Sequence, residues 1–263
     1  MTVFVINMAR STERLRRVSA RLAELGVEWE RIEAVDDSQL DAAARRRAFS
    51  RFGWWCCTLA PAVRGQIGCA MSHQLAQRAM VQRGLDMACV LEDDAVLDAR
   101  FPAALRWVEE HLDPSRAQVA LLGDHEQSAH ENDVSSVGFS LKRASWAWGA
   151  EGYVLTRRAA EAMLADNSPI RVMNDTWGRW VDQGVVELFR VRPAVCAQTS
   201  WDNPAESEIS RSMKAADLPP MRRIRWTLCR VVGVSMDALS SPRRLRGRFV
   251  QLLRRMRIIR EDA

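Results

Sequence analysis

The chain has 263 residues, of which 48% are hydrophobic and 27% are charged. This balance is typical of a globular protein and excludes wholesale disorder, and no apolar stretch approaches the roughly 18 residues of a membrane span. The formal net charge of +5 is uneven, because residues 221–263 carry 12 arginines and three acids while the remainder is mildly acidic. We therefore expect one domain over residues 1–220 and a basic helical tail over 221–263.

Strand and helix patterns alternate along the first half of the chain. Apolar runs and helical periodicity predict strand 2–7, helix 12–25, strand 27–35, helix 41–49, helix 66–83, strand 87–91, helix 102–112 and strand 119–122. Farther along they predict strands within 137–155, helix 157–164, helix 174–181 and strand 185–191, with loops at 53–64 and 123–136. This alternation predicts an α/β domain with a mainly parallel sheet.

The six cysteines indicate a reduced protein. They occupy positions 56, 57, 69, 89, 196 and 229, and none forms a Cys-x-x-Cys pair. We expect none of them to lie at zinc-ligand spacing to a histidine. The pattern predicts reduced core thiols in a cytoplasmic protein. The N-terminal segment has neither a basic leader nor a long apolar region, so it does not predict a secretory signal.

Three acids, Glu92, Asp93 and Asp94, follow the apolar strand at 87–91. Adjacent carboxylates repel one another, so a buried cluster stays ionised only beside a cation. Carboxylate oxygens suit magnesium or manganese, which complete their coordination with substrate phosphates. Ligands of open α/β sheets also bind beyond the carboxyl ends of the strands. The three acids therefore indicate a metal site, with a solvated strand exit as the alternative.

Asn7, Arg10 and Arg14 form a second group of candidate ligand-binding residues. Asn7 ends the first strand, and the two arginines follow within two helical turns. Guanidinium groups and the free amides at the start of a helix both bind phosphate well. An ordinary capped surface helix with basic residues is the alternative.

Gly68, Ser72 and His73 form the third group. A glycine at 68 allows a ligand to approach the backbone, and the serine and histidine add polar side chains. Neighbouring helical side chains point about 100° apart, so Ser72 and His73 do not form a nucleophilic pair. A histidine with a purely structural role is the alternative.

These segments together resemble glycosyltransferase family 25, the bacterial lipopolysaccharide and lipooligosaccharide sugar transferases that are related to collagen galactosyltransferases. The resemblance rests on VFVINMxRSxxR at 3–14, GQIGCAMSH at 65–73 and VLEDDAVL at 90–97. It continues through GYVLT at 152–156 and Asn174-Asp175, and it covers about residues 2–200 in the right order.

The resemblance implies a GT-A type, Rossmann-like fold, a nucleotide-sugar donor and inversion at the anomeric carbon. It makes Glu92 and Asp94 the ligands of manganese or magnesium, which would bridge the diphosphate of UDP-galactose or UDP-glucose. The acceptor would be a lipopolysaccharide, a lipooligosaccharide or another glycan. The donor-binding residues would be Asn7, Arg10, Arg14, Gly68, Ser72, His73 and Asp93.

An inverting transferase also needs a carboxylate that removes the proton from the acceptor hydroxyl. Asp175 is the first candidate because the family pattern places an aspartate there. Glu151 and Asp182 are the other candidates. An acid at a helix start that only accepts hydrogen bonds from backbone amides is the structural alternative for Asp175.

Parts of this sequence are also compatible with two other classes of protein. A metal-dependent phosphodiesterase or nucleotidyl enzyme could share the acidic cluster, but the four histidines, at 73, 111, 125 and 130, lack paired ligand spacing. A nucleic-acid-binding protein is disfavoured because the body of the chain is net negative, so no nucleic-acid partner is expected.

The tail predicts contact with a membrane surface. Apolar residues recur at helical spacing in 243–260, and arginines occupy most of the other positions. Such a helix suits the interface of an anionic bilayer, where a lipid-linked acceptor would also lie. Packing of the tail against the acidic body and an oligomer contact are the alternatives. The expected location is cytoplasmic, peripheral at the inner face of the cytoplasmic membrane.

Overall fold

A seven-stranded sheet with helices on both faces organises residues 1–58, 62–63, 65–123 and 138–198, which the computed structural model describes. The strands are β1 (Thr2–Asn7), β2 (Glu30–Glu33), β3 (Met87–Glu92), β4 (Ala95–Leu97), β5 (Gln118–Leu121), β6 (Ser140–Ala144), β7 (Gly152–Thr156), β8 (Glu187–Arg192) and β9 (Cys196–Gln198). The helices are α1 (Thr12–Glu24), α2 (Ala42–Ala48), α3 (Arg51–Thr58), α4 (Gln66–Gln82), α5 (Phe101–His111), α6 (Arg157–Asp166) and α7 (Trp177–Asp182).

The strand order in the sheet is β2-β1-β3-β7-β5-β8-β6. Strand β1 is parallel to β2 and β3, and β5 is parallel to β8, while β7 and β6 are antiparallel to their neighbours. Five of the seven strands therefore run in one direction, which agrees with the predicted mainly parallel α/β sheet. Strands β4 and β9 pair separately as a two-stranded antiparallel sheet.

The central strands are buried on both faces, so they consist of nearly continuous apolar residues. Val3 and Val5 of β1 face a core cluster that includes residues of α1 and α5. Phe4 and Ile6 face the opposite cluster, which includes residues of α4, α6 and α7. Alternation along a strand sends successive side chains to opposite faces, and this produces three layers, helix on sheet on helix.

Most predicted elements agree with the structure, and two predictions need correction. The predicted loop at 53–64 is wrong over its first part, because α3 spans Arg51–Thr58. This helix is held by the buried Trp54, which packs in a small cluster with Ala70 and Ile170. The helix predicted at 174–181 begins at Trp177 instead, so Asp175 lies in the turn before α7.

The basic tail at 221–263, the domain boundary at residue 220 and nearly all of the predicted 123–136 loop lie outside the described residues. The division into domain and tail therefore remains a prediction. Within the described part of the chain, no helix combines the length and the apolar character needed to cross a bilayer.

Candidate active site

The candidate site lies where several strands end at one edge of the sheet. Strands β1 and β3 are parallel neighbours with Ile6 opposite Glu92, so Asn7 and Glu92 end at the same edge. Strand β7 runs antiparallel to β3, which places Glu151, the residue before β7, at that edge as well. The backbone N–H of Glu92 donates to the carbonyl oxygen of Glu151 at 3.0 Å. Neighbouring strands thus bring together residues that are far apart in sequence.

Asp93 and Asp94 occupy the turn between β3 and β4, and both are buried. The Nδ2 group of Asn7 donates to Oδ2 of Asp93 at 2.7 Å and to the carbonyl oxygen of Ser11 at 3.0 Å. The guanidinium of Arg14 lies 3.1 Å from Oδ1 of Asp93 and 2.6 Å from Oδ2 of Asp94. The structure therefore joins Asn7 and Arg14 to the acidic run, with Arg14 paired to carboxylates.

Glu92 and Asp94 lie side by side, and both accept hydrogen bonds from one side-chain amide. Nε2 of Gln198 donates to Oδ2 of Asp94 at 3.1 Å and to Oε2 of Glu92 at 3.3 Å. Gln198 reaches them because β9 pairs with β4, with Ala95 opposite Gln198. The other oxygen of Glu92, Oε1, lies 3.1 Å from Nε2 of His73. The two predicted metal ligands are therefore neighbours with fixed orientations.

Burial makes this cluster electrostatically unfavourable without a cation. The pKa of Asp94 is raised to about 7, chiefly by burial and also by the negative charges of Glu92 and Asp93, and Arg14 only partly offsets these effects. Burial also raises the pKa of Asp93. Oδ1 of Asn7 is buried and has no hydrogen-bond partner among the described residues. The cluster therefore provides oxygen ligands, and a positive charge beside it would stabilise the ionised carboxylates.

His73 is buried inside the site, with 1% of its surface exposed, and each of its ring nitrogens has a hydrogen-bond partner. Its Nδ1 lies 3.0 Å from the hydroxyl of Tyr153, and that hydroxyl accepts from Nδ2 of Asn174 at 3.4 Å. Oδ1 of Asn174 in turn accepts from Nε2 of Gln77 at 3.0 Å. Held in this way, His73 orients the carboxylate of Glu92.

Asp175 also interacts with the charges of this cluster. The pKa of Asp175 is raised to about 6, chiefly by burial and also by the charges of Glu92 and Glu151, while His73 lowers it. The preceding residue, Asn174, is fixed by its contact with Tyr153. A carboxylate with such a pKa is largely ionised at neutral pH yet basic enough to accept a proton.

Gly68, Ser72 and Arg10 contact the loop that follows β2. A Cβ atom on Gly68 would lie 2.4 Å from the carbonyl oxygen of Val35, so the close approach that this glycine permits is to the chain's own backbone. Oγ of Ser72 accepts from the N–H of Val35 at 2.8 Å and donates to the carbonyl oxygen of Gly68 at 2.6 Å. Arg10 forms an ion pair with Asp36. These three residues hold the loop beside the site.

We expect Gly68→Ala to lower the free energy of unfolding by about 1–3 kcal/mol, because the added methyl group meets the backbone of Val35. Intrinsic helix propensity alone predicts the opposite sign, a gain of up to about 1 kcal/mol. Urea denaturation followed by circular dichroism measures the difference, and an increase in stability would contradict the close packing of α4 on this loop.

Three residues of the site were not predicted from the sequence as ligand-site residues. Gln198 lies 106 positions from Glu92, and no sequence pattern links the two. Tyr153 is the only tyrosine of the chain and lies within the GYVLT segment, which gave no sign of a role in the site. The expectation that no cysteine stands at ligand spacing to a histidine is wrong for Cys69, which is four residues before His73 on α4. The spacing of one helical turn was the missed signal.

The chain is an α/β protein with a mostly parallel sheet, and its buried carboxylate cluster lies at the carboxyl edge of that sheet, where ligands of open α/β sheets usually bind. The family profile described as "Glycosyltransferase family 25 (LPS biosynthesis protein)" matches residues 1–177, more than half of the chain. The chain belongs to glycosyltransferase family 25. The matched range includes the predicted donor-binding residues, the predicted metal ligands and Asp175, but not the alternative base Asp182.

Several animal proteins are similar to the chain. The bovine protein named "Probable inactive glycosyltransferase 25 family member 3" is 26% identical over 231 residues, which cover 78% of this chain and 38% of that protein. Human "Procollagen galactosyltransferase 2" is 25% identical over 172 residues, 63% of this chain and 27% of that protein. A "Glycosyltransferase 25 family member" of Drosophila pseudoobscura pseudoobscura is 29% identical over 167 residues, 62% of this chain and 27% of that protein. The chain thus spans well under half the length of these relatives.

Proposed function

We propose that the chain is an inverting, metal-dependent glycosyltransferase that moves galactose or glucose from a UDP-sugar to a lipopolysaccharide, lipooligosaccharide or other glycan acceptor. The observation that carries the proposal is the joint placement of the acidic run and Asn7 at one edge of the sheet, with Asp175 next to Asn174, whose side chain contacts Tyr153 beside His73. Membership of the family supports sugar transfer. One relative carries the word galactosyltransferase in its name and another the word inactive, so activity is the first property to test.

The residues present fit a hard divalent cation, manganese or magnesium. The donor atoms are carboxylate oxygens, which these ions prefer. Asn7 adds a buried oxygen without a partner among the described residues, and burial raises the pKa of Asp94 to about 7 in the absence of a cation. Glu92 and Asp94 would hold the ion, which supplies positive charge that stabilises the leaving diphosphate.

The chain's own groups prepare this site in two ways. Asn7 and Arg14 fix Asp93 and one oxygen of Asp94, and this keeps the turn between β3 and β4 in place. His73 fixes Glu92 from the opposite side. Preorganised groups of this kind need no rearrangement during the reaction, which lowers the barrier.

Asp175 is the proposed general base. Its carboxylate takes the proton of the acceptor hydroxyl as the oxygen attacks the anomeric carbon and the nucleotide leaves from the opposite face. Its pKa, raised to about 6 chiefly by burial, suits a base that works near neutral pH. Glu151 is also buried at this edge, and it remains an alternative base together with Asp182.

A titration of UDP-galactose and UDP-glucose into the full chain, with manganese or with EDTA, tests the proposal. We expect saturable binding with manganese and a loss of at least about tenfold in affinity with EDTA. Binding that EDTA does not change would contradict the metal-dependent site. Metal-dependent cleavage of a phosphodiester without sugar release would favour the phosphodiesterase class instead.

We also propose that the tail at 221–263 docks the enzyme on an anionic membrane, at the cytoplasmic face, where a lipid-linked acceptor lies. Each arginine near such a surface contributes about 1 kcal/mol, and salt weakens the contribution. The full chain is expected to sediment with anionic vesicles at low salt. A chain that ends at Pro220 is expected to stay in solution and to keep its affinity for the UDP-sugar. Equal sedimentation of both chains, or of neither, would contradict the anchor.

A further inference from the structure

Cys69 and His73 lie one helical turn apart on α4, beside Glu92 at the end of β3. One ligand atom of each of the three side chains, the thiol sulfur, an imidazole nitrogen and a carboxylate oxygen, lies within 4.8 Å of the other two. Residues four apart on a helix project on the same side, which explains why the first two face the third. We propose that these three side chains form a binding site for zinc, a site that shares Glu92 with the carboxylate cluster.

The chemistry of the three donors separates this site from the one for a hard cation. Zinc binds thiolate, imidazole and carboxylate, whereas magnesium and manganese prefer oxygen alone. The ligand atoms of a tetrahedral zinc site are about 3.3–3.6 Å apart. Nε2 of His73 and Oε1 of Glu92 are already 3.1 Å apart, so the main adjustment is an approach of the Cys69 sulfur, which lies within 4.8 Å of the other two ligand atoms. Three protein ligands leave the fourth position to water or to a substrate oxygen.

His73 is already oriented for this role. Its Nδ1 faces the hydroxyl of Tyr153 at 3.0 Å, and its Nε2 faces Oε1 of Glu92 at 3.1 Å. With the proton on Nδ1, the ring donates to the oxygen of Tyr153, and the lone pair of Nε2 points toward Glu92. Zinc would then lie between that nitrogen and the carboxylate and accept electron pairs from both. An outer hydrogen bond that fixes the ring is typical of metal-binding histidines.

Zinc at this site would inhibit sugar transfer, and this consequence rests on the proposed function. Glu92 cannot serve both cations in full, because its Oε1 faces His73 and its Oε2 faces the amide that also holds Asp94. Zinc would therefore draw Glu92 away from manganese. The binding site itself requires no assumption about the reaction.

Cobalt(II) is the probe that reports directly on the thiolate. Titration of the metal-free, reduced full chain is expected to give one equivalent of bound cobalt. The spectrum should show a thiolate-to-cobalt charge-transfer band in the near ultraviolet and intense visible bands of a tetrahedral ion, and zinc should remove both. Cys69→Ser should lose the charge-transfer band. The matched control, Cys56→Ser, changes an exposed cysteine on α3 and should keep it.

Tyr153→Phe removes only the hydroxyl that orients His73 and should weaken cobalt binding by about 10–100-fold. Circular dichroism checks that each variant is folded. Alkylation mapped by mass spectrometry needs no variant, and zinc should slow the labelling of Cys69 but not of Cys56.

Three results would overturn the proposal. The folded wild-type chain could show no charge-transfer band, the band could be undiminished in Cys69→Ser, or zinc could leave the labelling of Cys69 unchanged. A cobalt spectrum as expected in a chain without transferase activity would keep the zinc site and contradict the proposed function. Zinc inhibition of transfer that Cys69→Ser relieves would support both.

Discussion

Asp94→Asn is expected to abolish metal-dependent donor binding and to remove most of the transferase activity. The substitution keeps the size of the side chain and leaves an oxygen for Arg14 and Gln198, but it removes the negative charge from the centre of the cluster. The proposed cation loses one of its two principal ligands, and the diphosphate loses the charge that the cation supplies. The affinity for UDP-sugar, measured with and without manganese, reports the first effect, and initial rates of transfer report the second.

Asp98→Asn is the matched control, because Asp98 is partly exposed and pairs with Arg100 outside the cluster. It should leave both quantities nearly unchanged. Wild-type rates in Asp94→Asn at ordinary manganese concentrations would show that Asp94 is not a metal ligand.

The thermal stability of Asp94→Asn shows whether a loss of activity comes from a lost metal ligand or from a loss of folding. The pKa of Asp94 is raised to about 7 in the folded protein from an ordinary value of 3.8, so between these pH values the folded state binds more protons than the unfolded state. Stability without metal therefore falls as pH rises through that window. The amide of the variant carries no such charge, so metal-free Asp94→Asn should melt at a higher temperature than the wild type at pH 8. At pH 4 the gap should be smaller.

Asp175→Asn is expected to lower turnover by about 10²–10⁴-fold, the usual contribution of a general base. The affinity for UDP-sugar should stay nearly intact, because Asp175 acts on the acceptor hydroxyl. In the wild type the rate should rise as pH increases through about 6, where the carboxylate ionises, and level off above. The residual rate of the variant should lack this rise.

Glu151→Gln and Asp182→Asn provide the comparison for this assignment. If Asp175 is the base, neither should reproduce both the loss of turnover and the loss of the pH-dependent rise. A collapse of UDP-sugar affinity in Asp175→Asn would make Asp175 a donor ligand. A turnover that barely changes would transfer the role of base to one of the other two acids.

The contact of Asn7 with Asp93 could be predicted because both residues lie at the ends of apolar strands, and parallel neighbours share a carboxyl edge. The helical spacing of α1 likewise places Arg14 near that edge. Local periodicity carries this information because burial on both sides of a sheet selects apolar runs of strand length.

Other contacts of the site depend on the tertiary fold alone. Gln198 reaches the acids only through the pairing of β9 with β4, two three-residue strands without a clear pattern. Gly68 was predicted to face a ligand, whereas its neighbour is Val35, because the sequence does not reveal which backbone will pack against a helix. The short helix α3 is held by the packing of Trp54, which outweighs its weak local helix signal.

Release of UDP from a panel of UDP-sugars tests whether the acidic cluster supports metal-dependent cleavage of the donor. The wild-type chain is incubated with each sugar nucleotide in manganese and in EDTA, and the Asp94→Asn variant is incubated with each in manganese. We expect slow hydrolysis of UDP-galactose or UDP-glucose that requires manganese and is lost in the variant. Absence of metal-dependent UDP release from every member of the panel, or equal release by the variant, would contradict this expectation.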